Sequence, residues 1–259
     1  MVGKPVKETA WVRRFHPSPE ARYQLLCFPH SGGSASFFFP FSQRLAPEID
    51  VWSMQYPGRQ DRRSEANVPH IHEMADRVVE AVGPRLDGPY ALFGHSMGAT
   101  LAYEVGLRLQ SSGRHPEALF VSGRPAPHRN VDKGLHRLSD EEIAEDIRAL
   151  DGTGSEMFGD ADVLKMFLPA IRSDYHAAET YEYAPGPVLK CPIRGFTGFS
   201  DPRVEVSELH HWADHTEGSF TLDVFSGGHF YLVDEQEGIA SEIERTLSGA
   251  GHLQGNMGL

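Results

Sequence analysis

Six short apolar runs punctuate the chain, at Tyr23 to Phe28, Val51 to Gln55, Tyr90 to Phe93, Leu119 to Ser122, Ile193 to Thr197 and Phe220 to Phe225. They are continuous rather than alternating, and so predict strands covered on both faces. Amphipathic stretches fill most of the gaps. "IHEMADRVVEAVGPRL" sets Ile71, Met74, Val78, Val79 and Val82 at helical spacing. "GATLAYEVGLRLQ" ends at Ser111-Ser112-Gly113, and "EGIASEIERTL" supplies a third helix near the C-terminus. Strands alternating with helices predict an α/β fold with a mostly parallel central sheet flanked by helices. With 259 residues, 40% of them hydrophobic, the chain can bury one large core.

One interval breaks the alternation. Between Ser122 and Cys191 the chain is too long for a plain crossover. Ser139 and Glu142 match a capping box ahead of Ile143, Ile147 and Leu150. A second helical segment, "DVLKMFLPAIRSDYHAAETY", carries Val163, Leu164, Phe167, Leu168 and Ile171. The punctuation "GRPAPHRN" and "YAPGPVLKCP" brackets these helices. The chain therefore divides into a core, residues 1–132, a helical lid, 133–185, and a second part of the core, 186–259; ordinary surface helices are the alternative. Met157, Phe158, Met166, Phe167 and Leu168 give the insertion more soft and aromatic surface than solvent-facing helices need, and are expected to line a substrate chamber.

The third run stops at "YALFGHSMGAT", a G-x-S-x-G match at Gly94-His95-Ser96-Met97-Gly98. A strand before and a helix after make this a sharp reversal with a serine at its apex, where glycines relieve crowding. Ser96 then stands at a helix N-terminus, which favours developing negative charge. A serine is a weak nucleophile without a base. Fourteen histidines are present, so residue type alone does not choose one. His229 in "FTLDVFSGGHFYL" follows a strand and two glycines, where a loop returns it to the strand ends. His95 adjoins the serine, and its ring should point elsewhere. Asp201, in the Asp-Pro turn of "GFSDPRV", is the candidate acid; Asp223, inside a strand, is the competitor. The order Ser96, Asp201, His229 is that of α/β-hydrolases.

Acyl transfer also needs two N–H donors for the oxyanion. Met97 offers one by position, and Ser31 in "CFPHSGGSASFF" the other. A phosphate cradle is the rival reading of that loop, but no lysine or Walker spacing accompanies it. His211 and His215 in "HHWADH" are four apart, yet no third ligand stands at metal spacing, and no metal is expected. Cys27 and Cys191 each fall in a strand-like run and read as buried free thiols.

A formal net charge of -12 argues against nucleic acid or an anionic membrane as partner. Neither a signal peptide nor a membrane span is legible, which makes the cytoplasm the expected location.

The set "FPHSGGSASFF", "QYPGRQDR", "FGHSMGATLAYE", "GFSDPRV" and "FSGGHFYL" resembles the type II thioesterases, the stand-alone editing hydrolases of polyketide synthases and nonribosomal peptide synthetases. The resemblance runs from about Arg22 to Leu247. It implies an α/β-hydrolase fold with a helical lid between the sixth and seventh strands. It also implies hydrolysis of acyl thioesters held on the phosphopantetheine arm of acyl or peptidyl carrier domains. Such a serine mechanism needs no cofactor, and a monomer is expected. Carrier domains of such pathways are typically acidic, so docking needs a local basic or apolar patch. Arg59, Arg62 and Arg63 in "YPGRQDRR" are the basic candidates, with a solvated loop or an internal pairing of Arg59 as alternatives. A small-molecule esterase and a non-catalytic binding protein on a hydrolase fold remain the competing functions.

Overall fold

The computed structural model of the chain describes residues 9–150 and 161–254. Seven strands form one sheet: β1 (Val12–Arg13), β2 (Tyr23–Phe28), β3 (Ile49–Met54), β4 (Tyr90–His95), β5 (Leu119–Ser122), β6 (Ile193–Gly198) and β7 (Phe220–Phe225). Their spatial order is β1-β3-β2-β4-β5-β6-β7, and every pairing is parallel except that of β1 with β3. The interior strands β2 to β6 are buried at each position, as their unbroken apolarity predicts. The edge strand β7, paired on one side only, is half-buried or exposed at every position.

Among the described residues seven α-helices accompany the sheet: α1 (Phe39–Leu45), α2 (Ile71–Val82), α3 (Met97–Ser111), α4 (Asp140–Ala149), α5 (Ala161–Glu179), α6 (Val206–Leu209) and α7 (Gln236–Gln254). Successive strand residues point to opposite faces, which makes two cores. Leu26, Phe28, Leu92 and Val121 pack with α2 and α3 on one face. Leu25, Cys27, Ala91, Phe93 and Phe120 pack with α1 and α7 on the other. Both cysteines are free and buried. No helix of the described residues is long and apolar enough to cross a membrane.

The helices α4 and α5 leave the sheet after β5 and the chain returns at β6. They lie between the fifth and sixth strands, not the sixth and seventh, because only the two-residue β1 precedes β2 and the sheet stops at seven. The capping box forms as predicted: Ser139 accepts from Glu142 N–H, and the Glu142 carboxylate accepts from Ser139 N–H. Ile143, Ala144, Leu164, Leu168, Ile171 and Tyr175 make a separate apolar cluster between these helices.

Candidate active site

Strand β4 delivers Ser96 to the carboxyl edge of the sheet, and α3 begins at the next residue. The serine has φ 55 and ψ -123, a positive-φ conformation that side chains rarely adopt. The turn closes because its flanks are glycines. A Cβ on Gly98 would stand 2.1 Å from the Phe28 carbonyl oxygen, and one on Gly94 would stand 2.2 Å from that of Gly98. Met97 is the first residue of α3, whose leading N–H groups have no partner within the helix.

Asp201 and His229 arrive on the loops after β6 and β7. His229 Nδ1 lies 2.9 and 3.0 Å from the two Asp201 carboxylate oxygens, and the Asp201 side chain is fully buried. Since a carboxylate only accepts, Nδ1 carries the proton and Nε2 is left as the basic nitrogen. Arg203 N–H also donates to Asp201, over 2.8 Å. The two loops touch backbone to backbone: a Cβ on Gly198 would sit 2.3 Å from the Gly228 carbonyl oxygen. That contact holds the Asp201 loop against the His229 loop. Asp223 is engaged elsewhere, in an ion pair with Arg194 on the flank of the sheet.

The Ser31 loop is held from both sides. Gly32 N–H donates to Asp174 of α5 over 2.7 Å, and Gly33 N–H to the His30 carbonyl over 2.9 Å. Among the described residues no hydrogen-bond acceptor meets Ser31 N–H. Asp174 also forms an ion pair with Arg59, both side chains being buried.

Three imidazoles crowd the site. His95 turns away from Ser96, as expected, and its Nδ1 lies 2.9 Å from Ser122 Oγ, which in turn meets Tyr231 OH at 2.7 Å. The His95 ring centroid is 4.9 Å from that of His229 and 5.8 Å from that of His30. Burial, reinforced by the neighbouring His229, pushes His95 well below the usual histidine range and His30 down to about 3. Both rings are neutral at pH 7, so they crowd His229 without adding positive charge.

Ser31, Ser96 and His229 line a cavity of about 1110 Å³. One wall comes from the core, through Phe37, Phe38, Phe41, Phe93, Phe230 and Ile239; another comes from the α4–α5 region, through Leu135, Ile147, Leu150, Phe167, Ile171 and Tyr175. The core aromatics were not singled out in the sequence, although the run Phe37-Phe38-Phe39 was the available signal. Of the three predicted chamber residues that are described, Met166, Phe167 and Leu168, only Phe167 is found on the wall. Leu168 packs into the cluster between α4 and α5, and Met166 is 74% exposed, because successive helical positions face different ways. Met157 and Phe158 lie outside the described residues.

The predicted basic patch is also corrected. Arg59 is turned inward onto Asp174 and Tyr56. Arg62 is 6% exposed, donates to Glu65 and the Gln55 carbonyl, and lies over the Trp11 ring. Burying a guanidinium is costly unless it is paired in this way, and these pairings leave neither side chain for a docking surface. Arg63 alone of the three is exposed.

A strained serine at a strand–helix turn, a carboxylate-oriented histidine and an apolar cavity together define a serine hydrolase of the α/β-hydrolase fold. The family model described as "Thioesterase domain" matches residues 23–247, and the chain belongs to the thioesterase family. It is 46% identical to "Thioesterase PikA5" of Streptomyces venezuelae over 92% of this chain and 85% of that protein. Among solved structures, the type II thioesterase BorB from the borrelidin biosynthetic cluster superposes with a TM-score of 0.88 at 50% identity, covering 92% of this chain and 98% of that one. RedJ, a thioesterase from the prodiginine pathway of Streptomyces coelicolor, gives 0.84 at 36% identity, covering 94% and 91%.

Proposed function

We propose that the protein hydrolyses acyl thioesters carried on the phosphopantetheine arm of acyl or peptidyl carrier domains, clearing stalled or misloaded units from a polyketide or nonribosomal peptide assembly line. The observation that carries this reading is the position of Ser96 and the Asp201-oriented His229 on the wall of one apolar cavity, in a chain similar throughout to type II thioesterases. In this mechanism His229 Nε2 takes the Ser96 proton as Oγ attacks the thioester carbonyl. Asp201 holds the imidazole and stabilises its charge. The Met97 and Ser31 N–H groups receive the oxyanion, Met97 with the help of the α3 dipole. The pantetheine thiolate leaves with the proton from His229. Water, deprotonated by the same nitrogen, then attacks the acyl-serine, and the acid and free Ser96 are released.

No metal or redox cofactor enters this sequence, and the enzyme acts as a cytoplasmic monomer that meets its carrier at the cavity mouth. Hydrolysis of an acyl-loaded carrier protein, followed by mass spectrometry, tests the proposal. Wild type should turn it over far faster than a simple aryl ester, and Ser96→Ala should lose about 10³-fold or more while staying folded. Retained activity in Ser96→Ala overturns the assignment of the nucleophile; a preference for the aryl ester makes the protein a small-molecule esterase.

A further inference from the structure

A second cluster of side chains beside the cavity has no part in acyl transfer. His128 stands in the 3-10 turn Pro127–Arg129 after β5, and His211 and Asp214 stand in the 3-10 helix His210–His215 that follows α6. One donor atom from each of the three lies within 4.8 Å of the others. An Asp214 carboxylate oxygen is 3.9 Å from both His128 Nε2 and His211 Nδ1. These side chains are 32%, 43% and 67% exposed for His128, His211 and Asp214, so an ion can reach them from solvent.

His215 is different: it is buried and faces inward. Its Nε2 lies 2.7 Å from His128 Nδ1, its Nδ1 lies 3.2 Å from Tyr103 OH, and the two imidazoles stack at 5.0 Å. Of the two tautomeric arrangements open to this inner chain, one leaves His128 Nε2 free to bind an ion. With His128 Nδ1–H donating to His215 Nε2, and His215 Nδ1–H donating to Tyr103 OH, His128 Nε2 keeps its lone pair and faces Asp214. An imidazole anchored through its second nitrogen is the usual arrangement of a metal-binding histidine.

Two imidazoles and one carboxylate suit a first-row divalent ion such as Zn²⁺, Ni²⁺ or Cu²⁺ and disfavour Mg²⁺ or Ca²⁺, which prefer oxygen donors. A tetrahedral zinc ion needs donors about 3.3 Å apart, so small rotations of exposed side chains close the site. The net charge of -12 raises the local concentration of any cation. Asp132, His136 and Glu179 also converge, but the Glu179 oxygens already accept from Lys133, Leu135 and His136 N–H groups and contact His136 Nδ1. That carboxylate organises a turn.

We propose that His128, His211 and Asp214 bind a divalent transition-metal ion, with His215 and Tyr103 holding His128 in register behind it. His128 also lines the cavity, so the ion sits against its wall.

The test is calorimetric titration of Zn²⁺ into the full chain, free of affinity tags and stripped with a chelator. One saturable site is expected, with His211→Gln and Asp214→Asn each weakening it about 10- to 100-fold, and Tyr103→Phe weakening it several-fold through loss of the support behind His128. His211 and Asp214 are solvent-facing, and circular dichroism of the variants checks that the fold is kept. Co²⁺ in place of Zn²⁺ should develop visible absorption bands in wild type that His211→Gln lacks. Absence of saturable Zn²⁺ binding overturns the proposal, as does equal affinity in the double variant His211→Gln/Asp214→Asn. Since the readout is metal binding, neither outcome depends on thioester turnover.

Discussion

Arg59 and Asp174 form a buried ion pair that joins the loop after β3 to helix α5, and the same Asp174 carboxylate accepts the Gly32 N–H. One acid therefore ties the "YPGR" segment, the α4–α5 region and the turn carrying Ser31 together. Removing either partner leaves an uncompensated buried charge. Arg59→Met should cost about 3–5 kcal/mol in urea unfolding. The double variant Arg59→Met/Asp174→Leu, which removes both charges, should recover a large part of that loss. If the single variant unfolds like wild type, the pair is not structural.

Asp201 and Asp223 separate cleanly. Asp201→Asn should keep the fold but favour the wrong His229 tautomer, with a fall in kcat of about 10⁴-fold, as in serine protease triads. Asp223→Asn acts on the ion pair with Arg194, not on a contact with His229, and should leave kcat within about tenfold. Steady-state rates on an acyl-pantetheine substrate distinguish the two, and the reverse pattern would reassign the acid.

The buried histidines predict sensitivity to mild acid. Unfolded His30 takes up a proton near pH 6.5, whereas in the folded chain it does so only at about 3. The unfolded state thus binds more protons between these values, and the contribution of His30 to stability, complete above pH 6.5, falls as pH drops toward 3. Each such histidine removes up to about 1.4 kcal/mol per pH unit in that window. His30→Phe should flatten the decline of urea midpoints between pH 7 and 5. An unchanged slope would mean that His30 already shares a proton in the native state.

Neighbouring residues on α5 should behave oppositely. Phe167→Ala enlarges the cavity wall and should shift chain-length preference in kcat/KM. Leu168→Ala should instead destabilise by about 2–5 kcal/mol with preference unchanged, and Met166→Ala should stay within about 0.5 kcal/mol of wild type. An acyl-chain panel run beside thermal melts resolves the three.

For carrier docking, Arg63→Glu should raise KM for an acyl-loaded carrier several-fold and leave a short acyl-pantetheine substrate unaffected. Arg62→Glu should lower stability instead, since it places a carboxylate against Glu65 and Trp11. Salt dependence of KM checks the first, because a direct charge contact weakens with ionic strength.

The sequence by itself determined the features that are local in the chain. Continuous apolar runs required buried parallel strands, and the G-x-S-x-G reversal required a serine at a strand end. The order of strand-terminal loops brought forward Asp201 and His229, and the capping box at Ser139 marked the start of α4. Each depends on a pattern within a few residues, where backbone geometry and periodicity decide. Tertiary structure decided which distant groups meet. "YPGRQDRR" reads the same whether its arginines are solvated or buried, and only the arrival of Asp174, 115 residues away, turns Arg59 inward. Phe37 and Phe230 become cavity wall because the 3-10 turn Ala35–Phe38 after β2 and the loop after β7 close over the same strand ends. His211 faces His128 rather than His215, its neighbour in the motif, because Tyr103 draws His215 into the core. Burial of a charge or a ring depends on what packs against it, and packing partners far apart in the chain leave no local trace.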